Sequence, residues 1–388
     1  MAIIAGVARE TAPGERRVAL TPESVQKLRA ADVSVIVERG AGAAASFTDL
    51  EYADAGAKIV TTAVMYSQAN VILRINRPSP SEAKLLKDGQ VVIGMLAPLL
   101  DPTAMAEMAG RGVRAISLDA IPRTLSRAQG MDALSSQANV AGYKAVLIAA
   151  DAFGRYFPLL TTAAGTAKPA NVLVLGIGVA GLQAIATARR LGAQVRAYDV
   201  RPETREQAES LGAQFVTLQS VMDASGEGGY ARALTPEEQV AQQAELNDVI
   251  GAQDVVITTA QVPGRKPPVL VSATAVECMK PGSVIVDIAA SDLGGNCEVS
   301  VAGKIVVTSN GVTIHAPTNV PATMPTGASL FYARNISNLL LHLVKAGELR
   351  FDFDDEITAA TVITYDGRVV QAATSQLLQP AIRGGAKA

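Results

Sequence analysis

Short apolar runs alternate with amphipathic segments along most of the chain. In the first third, this pattern predicts strands over residues 3–7, 33–38, 71–75, 91–96 and 113–118. The 3.6-residue spacing of apolar positions between them predicts helices over residues 21–30, 49–55, 82–87 and 103–109. Strands that alternate with helices in this way indicate a parallel sheet with helices on both faces.

The same alternation returns later in the chain. It predicts strands over residues 172–175, 195–198, 215–218, 255–258, 284–288 and 305–307. Between the two alternations, residues 134–153 are apolar on most sides, which predicts a helix buried between two domains. A long helical pattern over 327–344 is expected to return to the first domain, and residues 351–370 are expected to form a hairpin with an Asp366-Gly367 turn.

These patterns predict an α/β protein with two doubly wound parallel-sheet, Rossmann-like domains joined by long interdomain helices. The N-terminal domain is expected to comprise residues 1–133 with 327–388, and the second domain residues 134–326. A length of 388 residues fits two domains.

Composition excludes several classes of function. The net charge is −2 and no long basic run is present, so nucleic-acid binding has no electrostatic support. The two cysteines form no CxxC motif, which fits a reducing cytoplasm, and no metal site is predicted. Neither a signal peptide nor a membrane span is apparent, so we expect a cytoplasmic protein without direct membrane insertion.

A glycine-rich turn stands at the start of the second alternation. Gly176, Gly178 and Gly181 follow the apolar run 172–175, and a helical segment and a second apolar run then lead to Asp199. This order of strand, turn, helix, strand and acid is typical of a dinucleotide site. The glycines allow a tight turn, an approach of pyrophosphate to the backbone, and close packing of helix on sheet.

Asp199 predicts which dinucleotide binds. A carboxylate 18 residues after Gly181 can accept both ribose hydroxyls of adenosine and repels the extra phosphate of NADP, so NAD(H) is expected. Arg201 complicates the prediction, since an arginine there can hold that phosphate. Residues 225–230 are rich in glycine and are expected to form a mobile loop. Residues 291–298, at the end of an apolar strand, are expected to form a turn that faces the cofactor.

The segment 121–139 collects arginine, glutamine, aspartate, serine and asparagine before the buried helix. Its composition fits either interdomain hydrogen bonding or a functional site. The stretch that begins within this segment, Met131-Asp-Ala-Leu-Ser-Ser-Gln-Ala-Asn-Val-Ala-Gly-Tyr143, resembles the NAD(H)-binding component of proton-translocating transhydrogenase. The resemblance covers essentially the whole chain, through the motifs at 13–22, 162–176, 228–231, 281–287, 294–297 and 318–321. Alanine dehydrogenases share these motifs in part.

The resemblance implies roles for individual residues. Arg123, Asp132 and Ser135 would hold the carboxamide end of NAD(H), and Gln129 would face a partner component that carries NADP(H). Tyr143 would pack near the nicotinamide ring, with a core residue as the alternative, and the alternative for Arg127 is a surface or interdomain ion pair. The nucleotide contacts implied by the motif and the resemblance are Asn139, Tyr143, Gly176, Gly178, Val179, Ala180, Gly181, Asp199, Val200, Arg201, Gly229, Tyr230 (on a closing loop), Thr259, Ala260 and Gln261.

Alanine dehydrogenase activity is the alternative reading. It requires a cation and a proton-transfer group for a carboxylate substrate. The positions that hold lysine and histidine in that family read Arg74 and Leu96 here. The chain has two histidines: His342 lies in an apolar helical context and His315 at a strand end, and neither restores the missing pair.

Hydride transfer between two nicotinamide rings needs no acid–base residue, so we favour a transhydrogenase component. The single complete fingerprint implies that NADP(H) binds to another subunit and that protons pass through a separate membrane-spanning subunit. We expect a homodimer, peripheral on the cytoplasmic side of the inner (plasma) membrane through those partners. A non-catalytic NAD-sensing module remains a third possibility.

Overall fold

The computed structural model describes residues 3–219, 235–261 and 265–378. The chain divides into two compact units: unit 1 comprises Met1–Gln137 with Pro325–Ala388, and unit 2 comprises Ala138–Met324. The chain thus passes between the units after residues 137 and 324, whereas the sequence pattern predicts domain boundaries after residues 133 and 326.

Unit 1 contains a parallel sheet. Its described strands are β1 (Ile4–Val7), β2 (Ser34–Glu38), β3 (Lys58–Val60), β4 (Val71–Asn76), β5 (Val91–Met95) and β6 (Arg114–Ser117). The strands lie in the order β3-β2-β1-β4-β5-β6, so the chain reverses direction across the sheet between β1 and β4. The helices of this half are α1 (Pro22–Arg29), α2 (Asp49–Asp54), α3 (Thr62–Gln68), α4 (Pro80–Ala83) and α5 (Pro102–Gly110).

Local capping explains where the sequence prediction of helices failed. The helix expected over 82–87 instead spans Pro80–Ala83, because the hydroxyl of Ser79 accepts the Glu82 N–H in a capping box and Pro80 occupies the first turn. The pattern also missed β3 and α3. A three-residue strand carries little periodicity, and α3 is started by Thr61, whose hydroxyl accepts the Val64 N–H.

The predicted central helix is α6 (Ala133–Ala152). In unit 2, Ala145, Val146 and Ala149 of this helix are fully buried against the sheet. Its Gly142 allows close packing on the next helix, because a methyl group there would lie 2.0 Å from the carbonyl oxygen of Ala180.

Unit 2 contains a second mainly parallel sheet. Its described strands lie in the order β11-β10-β9-β12-β13-β15-β14, and the edge strand β14 is antiparallel to β15. After a hairpin of β7 (Leu160–Thr162) and β8 (Gly165–Ala167), the strands are β9 (Asn171–Leu175), β10 (Gln194–Tyr198), β11 (Gln214–Phe215), β12 (Val255–Thr258), β13 (Val284–Asp287), β14 (Ile305–Val307) and β15 (Thr313–His315). The helices are α7 (Val179–Arg190), α8 (Thr204–Ser210), α9 (Pro236–Gly251) and α10 (Ala273–Cys278).

Alternate residues of β9 supply two cores, one on each face of this sheet. Val172 and Val174 pack on the face that receives α6 and α7, and Leu173 and Leu175 pack on the other. All four are fully buried, as expected for a central strand of a sheet covered on both sides.

The C-terminal segment completes unit 1. Its elements are α11 (Pro325–Leu343), β16 (Val344–Lys345), β17 (Glu348–Leu349), α12 (Glu356–Thr361), β18 (Thr364–Tyr365), β19 (Arg368–Val369) and α13 (Ala372–Leu378). The expected hairpin turn is present, since Asp366 and Gly367 both have positive φ, at 46° and 76°, and join β18 to β19. Its predicted extent is wrong, because Asp355 caps α12 inside the stretch.

The predicted fold class of two doubly wound, Rossmann-like parallel sheets is confirmed. Within the described residues, no helix combines the length and the hydropathy needed to cross a bilayer.

Candidate functional site

The glycine-rich turn of unit 2 has the geometry that its sequence predicts. Gly176 has a φ of 92°, and a methyl group there would lie 2.9 Å from the Thr259 hydroxyl. A methyl group on Gly181 would lie 1.9 Å from the carbonyl oxygen of Gly176. A methyl group on Gly178 would instead point into open space, with nothing within 4 Å. The first and third glycines are therefore required by the fold, and the second leaves room for a ligand.

The N-terminus of α7 faces this open space. Gly178 is the N-cap and supplies no side-chain acceptor, so the first N–H groups of the helix are not capped by it. Val179 and Ala180 in the first turn are half-buried, and Arg189 and Arg190 lie in the last turn. Uncapped N–H groups and the positive end of the helix dipole form a site for a phosphate anion.

The loop after β12 forms the other side of the turn. The Thr259 hydroxyl donates to the Gly176 carbonyl at 2.9 Å, and the exposed Gln261 donates its amide to the Ile288 carbonyl at 2.9 Å. Ala260 is held at both backbone groups by the buried Asn296 side chain, which accepts its N–H at 2.9 Å and donates to its carbonyl at 2.9 Å. Asn296 was assigned no individual role from sequence. The only signal was its position in the 291–298 turn, which was expected to face the cofactor.

Asp199 lies at the end of β10, next to the turn. Its Oδ2 accepts the Ile177 N–H at 2.7 Å, which ties the glycine-rich loop to the carboxylate. The Arg201 guanidinium also binds both oxygens, Nε to Oδ1 at 2.9 Å and Nη2 to Oδ2 at 2.9 Å. Asp199 and Arg201 therefore form a bidentate ion pair where the sequence predicted acceptors for ribose hydroxyls.

The remaining predicted contacts in unit 2 differ in environment. The Asn139 amide donates to Gln183 of α7 at 3.0 Å, and Val200 is half-buried beside Asp199. Tyr143 is 37 % exposed, which is inconsistent with a plain core residue. Gly229 and Tyr230, with the rest of the predicted mobile loop 225–230, lie outside the described residues.

In unit 1, three of the predicted site residues form one hydrogen-bonded cluster. Arg123 donates from Nε to Asp132 Oδ2 at 3.2 Å and from Nη2 to the Ser135 hydroxyl at 2.9 Å. Asp132 accepts the Ser135 N–H at 2.8 Å and its hydroxyl at 2.5 Å. The aspartate thus caps the start of α6 and also orients the arginine.

Two further polar residues of this segment, Gln129 and Arg127, lie outside the cluster. Gln129 is exposed in the 3-10 helix Ser126–Met131. Arg127 forms ion pairs with Asp355 at 2.7 Å and Glu356 at 3.3 Å, at the start of α12. Arg127 thus forms a surface ion pair, a possibility that the sequence left open for it.

The positions that hold lysine and histidine in alanine dehydrogenases are closed here. Leu96 is fully buried in an apolar cluster. Arg74 is 1 % exposed and donates to the Tyr66 hydroxyl at 2.9 Å and to Glu82 Oε2 at 3.1 Å. It also lies 3.8 Å from Glu10. Arg74 is therefore engaged by the chain's own groups.

The buried ion pair of Arg17 and Glu15 lies beside the group formed by Arg74 and Glu10, since the Asn76 amide donates to both Glu10 and Glu15. Arg17 binds Glu15 at 2.7 Å and donates to Gln137 Oε1 at 2.8 Å. Burial alone would raise the pKa of Glu15, but the hydrogen bonds and charge of Arg17 outweigh it and lower this pKa to about 2. Burial raises the pKa of Glu10, and the charge of Arg74 opposes that rise. Internal ion pairs thus occupy the β1–β4 reversal of the sheet, where ligands bind in open α/β sheets.

The two histidines occupy different surroundings. His342 lies on α11, and its Nε2 is 2.8 Å from Oδ2 of Asp355, the N-cap of α12. This contact gives the His342 ring a structural role. His315 lines a cavity of about 610 Å³ in unit 2, with Lys144, Asp151 and Lys304. Burial lowers the pKa of His315, and the charge of Asp151 opposes this. Among the described residues, no three His, Cys, Asp or Glu side chains come together as a metal-ligand group.

Comparison with known proteins resolves the family. The family model "Alanine dehydrogenase/PNT, N-terminal domain" matches residues 6–141, and "Alanine dehydrogenase/PNT, C-terminal domain" matches residues 145–372. An NAD(P) transhydrogenase alpha-subunit protein of Rhodospirillum rubrum is 45 % identical over 95 % of this chain and 97 % of its own length. The chain belongs to the NAD(P) transhydrogenase alpha-subunit family. The family predicted from the sequence motifs is thereby confirmed.

Solved structures agree with this membership. The transhydrogenase from Sinorhizobium meliloti matches with a TM-score of 0.86 and 44 % identity, over 95 % of this chain and all of the other. An L-alanine dehydrogenase structure matches with a TM-score of 0.81 and 27 % identity, over 97 % of this chain and 99 % of the other. The two families share the fold, and sequence identity places this chain nearer to the transhydrogenase alpha subunits.

Proposed function

We propose that this chain binds NAD(H) and exchanges a hydride directly with NADP(H) held by a partner subunit. The observation that carries the proposal is the contrast between two sheet edges. Unit 2 has an uncapped helix N-terminus at an open glycine turn, whereas the corresponding edge of unit 1 is filled by Arg74, Glu10 and Leu96. A nucleotide therefore has a cradle in unit 2. At the described edge of unit 1, Arg74 is already paired and the proton-donor position is Leu96, so a small carboxylate substrate would meet neither of the two groups it requires there.

The chain's residues fit NAD(H). The backbone around Gly178, Val179 and Ala180 would bind the pyrophosphate, since a Cβ at Gly178 meets nothing in the structure. Asp199, assisted by the neighbouring Val200 backbone, would accept the adenosine ribose hydroxyls and repel a 2′-phosphate. Thr259, Ala260 and Gln261 would bound the nucleotide on the β12 side, and Asn139 would support α7 through Gln183. We assign Gly229 and Tyr230 to a closing loop on the resemblance alone.

The nicotinamide end is assigned to the cluster of unit 1. When bound, the dihydronicotinamide ring supplies the hydride, and no protein acid or base is required. The guanidinium of Arg123, oriented by Asp132, offers N–H donors to a carboxamide oxygen. The Ser135 hydroxyl gives its one proton to Asp132 and accepts from Arg123, and the second lone pair of its oxygen can accept from the carboxamide nitrogen. Tyr143 would pack near the ring, and the exposed Gln129 would face the partner's nucleotide. These groups set approach geometry and exclude water.

The partners follow from the reaction. NADP(H) requires a second nucleotide-binding subunit, and coupling to protons requires membrane-spanning subunits, on whose cytoplasmic side this chain would be peripheral. A homodimer is proposed as well. It is supported by the edge strand β14, which exposes Ile305 and Val307 at 64 % and 65 %.

The test compares two reactions of the same preparation. With an NADP(H)-binding transhydrogenase component, the protein is expected to reduce an NADP analogue with NADH. With pyruvate and ammonia it is expected to oxidise no NADH. The opposite pattern would support alanine dehydrogenase activity, and NADH binding without either reaction would support an NAD-sensing module.

A further inference from the structure

Four hydrogen bonds occupy the acceptor positions of the Asp199 carboxylate. Oδ1 accepts the backbone N–H of Arg201 at 2.9 Å and the Arg201 Nε at 2.9 Å. Oδ2 accepts the Ile177 N–H at 2.7 Å and the Arg201 Nη2 at 2.9 Å. A carboxylate offers about four acceptor positions, two on each oxygen. All four are taken, and a ribose hydroxyl cannot bind until one of these donors leaves.

Two of the donors are fixed by the fold. The Ile177 N–H belongs to the glycine-rich turn, whose conformation is set by Gly176 and Gly181. The backbone of Arg201 is held by Thr204, whose N–H and hydroxyl donate to the Arg201 carbonyl at 3.2 Å and 2.7 Å. The guanidinium is attached through rotatable bonds. Its departure frees one acceptor position on each oxygen, which matches the two hydroxyls of a cis diol.

We propose that Arg201 is a built-in competitor of the adenosine ribose and thereby sets the affinity of this chain for NAD(H). Its guanidinium occupies the diol positions of Asp199 in the free protein and leaves them when the nucleotide binds. The inference deepens the proposed function and rests on it. Since only the fraction of molecules with a free carboxylate can bind the diol, the apparent dissociation constant for NADH is raised by the inverse of that fraction.

The test measures NADH binding by the enhancement of its fluorescence in the full-length chain, which contains no tryptophan. Arg201→Ala is expected to bind NADH at least about threefold more tightly than the unaltered protein. Reduced nicotinamide mononucleotide lacks the adenosine ribose, so its affinity is expected to stay unchanged. Binding of NADPH is expected not to tighten, because Asp199 still repels its 2′-phosphate.

Arg205→Ala is the matched control. Arg205 lies four residues on, is 53 % exposed, and pairs with Glu209 rather than with Asp199. Its loss removes the same charge from the same segment and is expected to leave the ratio of NADH to NADPH affinity unchanged. Arg201→Gln, which keeps a weaker neutral donor, is expected to shift NADH binding in the same direction as Arg201→Ala, and it serves if the alanine variant does not fold.

Several results would overturn the inference. Weaker NADH binding in a folded Arg201 variant would show that the guanidinium supports the nucleotide, and unchanged binding would show that it does not compete for the diol positions. An equal gain in Arg205→Ala would reduce the effect to general electrostatics. Failure of the unaltered protein to bind NADH would instead refute the proposed function, so the two failures are distinguishable.

Discussion

The carbonyl oxygen of Gly176 lies 1.9 Å from the position that a methyl group on Gly181 would occupy. The start of α7 therefore packs directly against the end of β9 at these two glycines, and a side chain on Gly181 would have to separate the two backbones and open the turn. Gly178 stands between them in sequence, yet a methyl group there meets nothing within 4 Å. One motif thus contains two glycines required for packing and one that leaves space.

This contrast predicts different defects for two alanine substitutions. Gly181→Ala is expected to destabilise the protein by about 1–3 kcal/mol, since overpacking forces the backbone apart. Gly178→Ala is expected to unfold close to the unaltered protein but to bind NADH much more weakly, because its methyl group enters the phosphate space. Thermal unfolding and NADH titration of both variants check this. Normal NADH affinity in Gly178→Ala would contradict the assigned phosphate site.

The cluster around Asp132 predicts a loss of rate. Arg123→Ala removes the donor that Asp132 and Ser135 orient, so hydride transfer is expected to fall on the order of tenfold to a hundredfold through misplacement of the ring. Arg127→Ala removes a second arginine of the same segment, one that is 53 % exposed and pairs with Asp355 and Glu356 at the start of α12, and is expected to change the rate little. Equal effects of the two substitutions would remove the special role of Arg123.

Substitution of Gln129 is expected to affect hydride transfer to NADP without affecting NADH binding. Because its side chain is exposed and is proposed to face the partner, Gln129→Ala is expected to keep the NADH affinity of the isolated chain. The rate of transfer to NADP on the partner component is expected to fall. Parallel fluorescence titration and single-turnover measurements distinguish the two steps. Weakened NADH binding in the isolated variant would place Gln129 against this chain's own nucleotide instead.

The lowered pKa of Glu15 makes part of the free energy of unfolding depend on pH in acid. Its pKa is about 2 in the folded protein and 4.5 in its ordinary state, so the unfolded chain takes up the proton first as pH falls. The stabilisation is fully present above pH 4.5 and disappears as pH approaches 2. A shift of this size corresponds to roughly 3 kcal/mol.

Glu15→Gln is therefore expected to lower the free energy of unfolding at pH 7 by about 2–3 kcal/mol, with a difference that narrows in acid. Denaturant unfolding at pH 7 and pH 3 measures this. Glu23→Gln, which removes an exposed carboxylate paired with Arg334, is expected to have little effect at either pH. A Glu15→Gln defect independent of pH would show that lost packing, and not charge, is responsible.

The sequence predicted much of the fold because long periodic runs specify their own structure. The strands that became β4, β9, β10 and β12, and the helices α6 and α11, follow directly from apolar spacing. Shorter elements did not. The strand Lys58–Val60 is too short to show a period, and the start of α4 was decided by Ser79, a capping interaction that periodicity does not register.

The candidate site was predictable in its residue types but not in its pairings. Asp199 and Arg201 were both identified, yet their mutual ion pair depends on side-chain geometry two residues apart in a turn. Similarly, Arg74 was recognised as a substitution for lysine. Its engagement by Tyr66 and Glu82, each eight residues away, depends on how the flanking helices α3 and α4 place those two side chains. Asn296, which holds Ala260, lies 36 residues away from it, so no local pattern reveals the contact.

Direct hydride exchange between the two nucleotides can be followed with an isotope tracer. The protein, combined with an NADP(H)-binding partner component, is supplied in ordinary water with NADH deuterated at C4 of the nicotinamide and with NADP. Mass spectrometry of the product then follows the label. We expect NADPH that carries the deuterium from one face of the donor ring, without dilution by solvent protons. Reduced NADP bearing only solvent hydrogen, or no reduced NADP while the deuterium passes to pyruvate in the presence of ammonia, would contradict it.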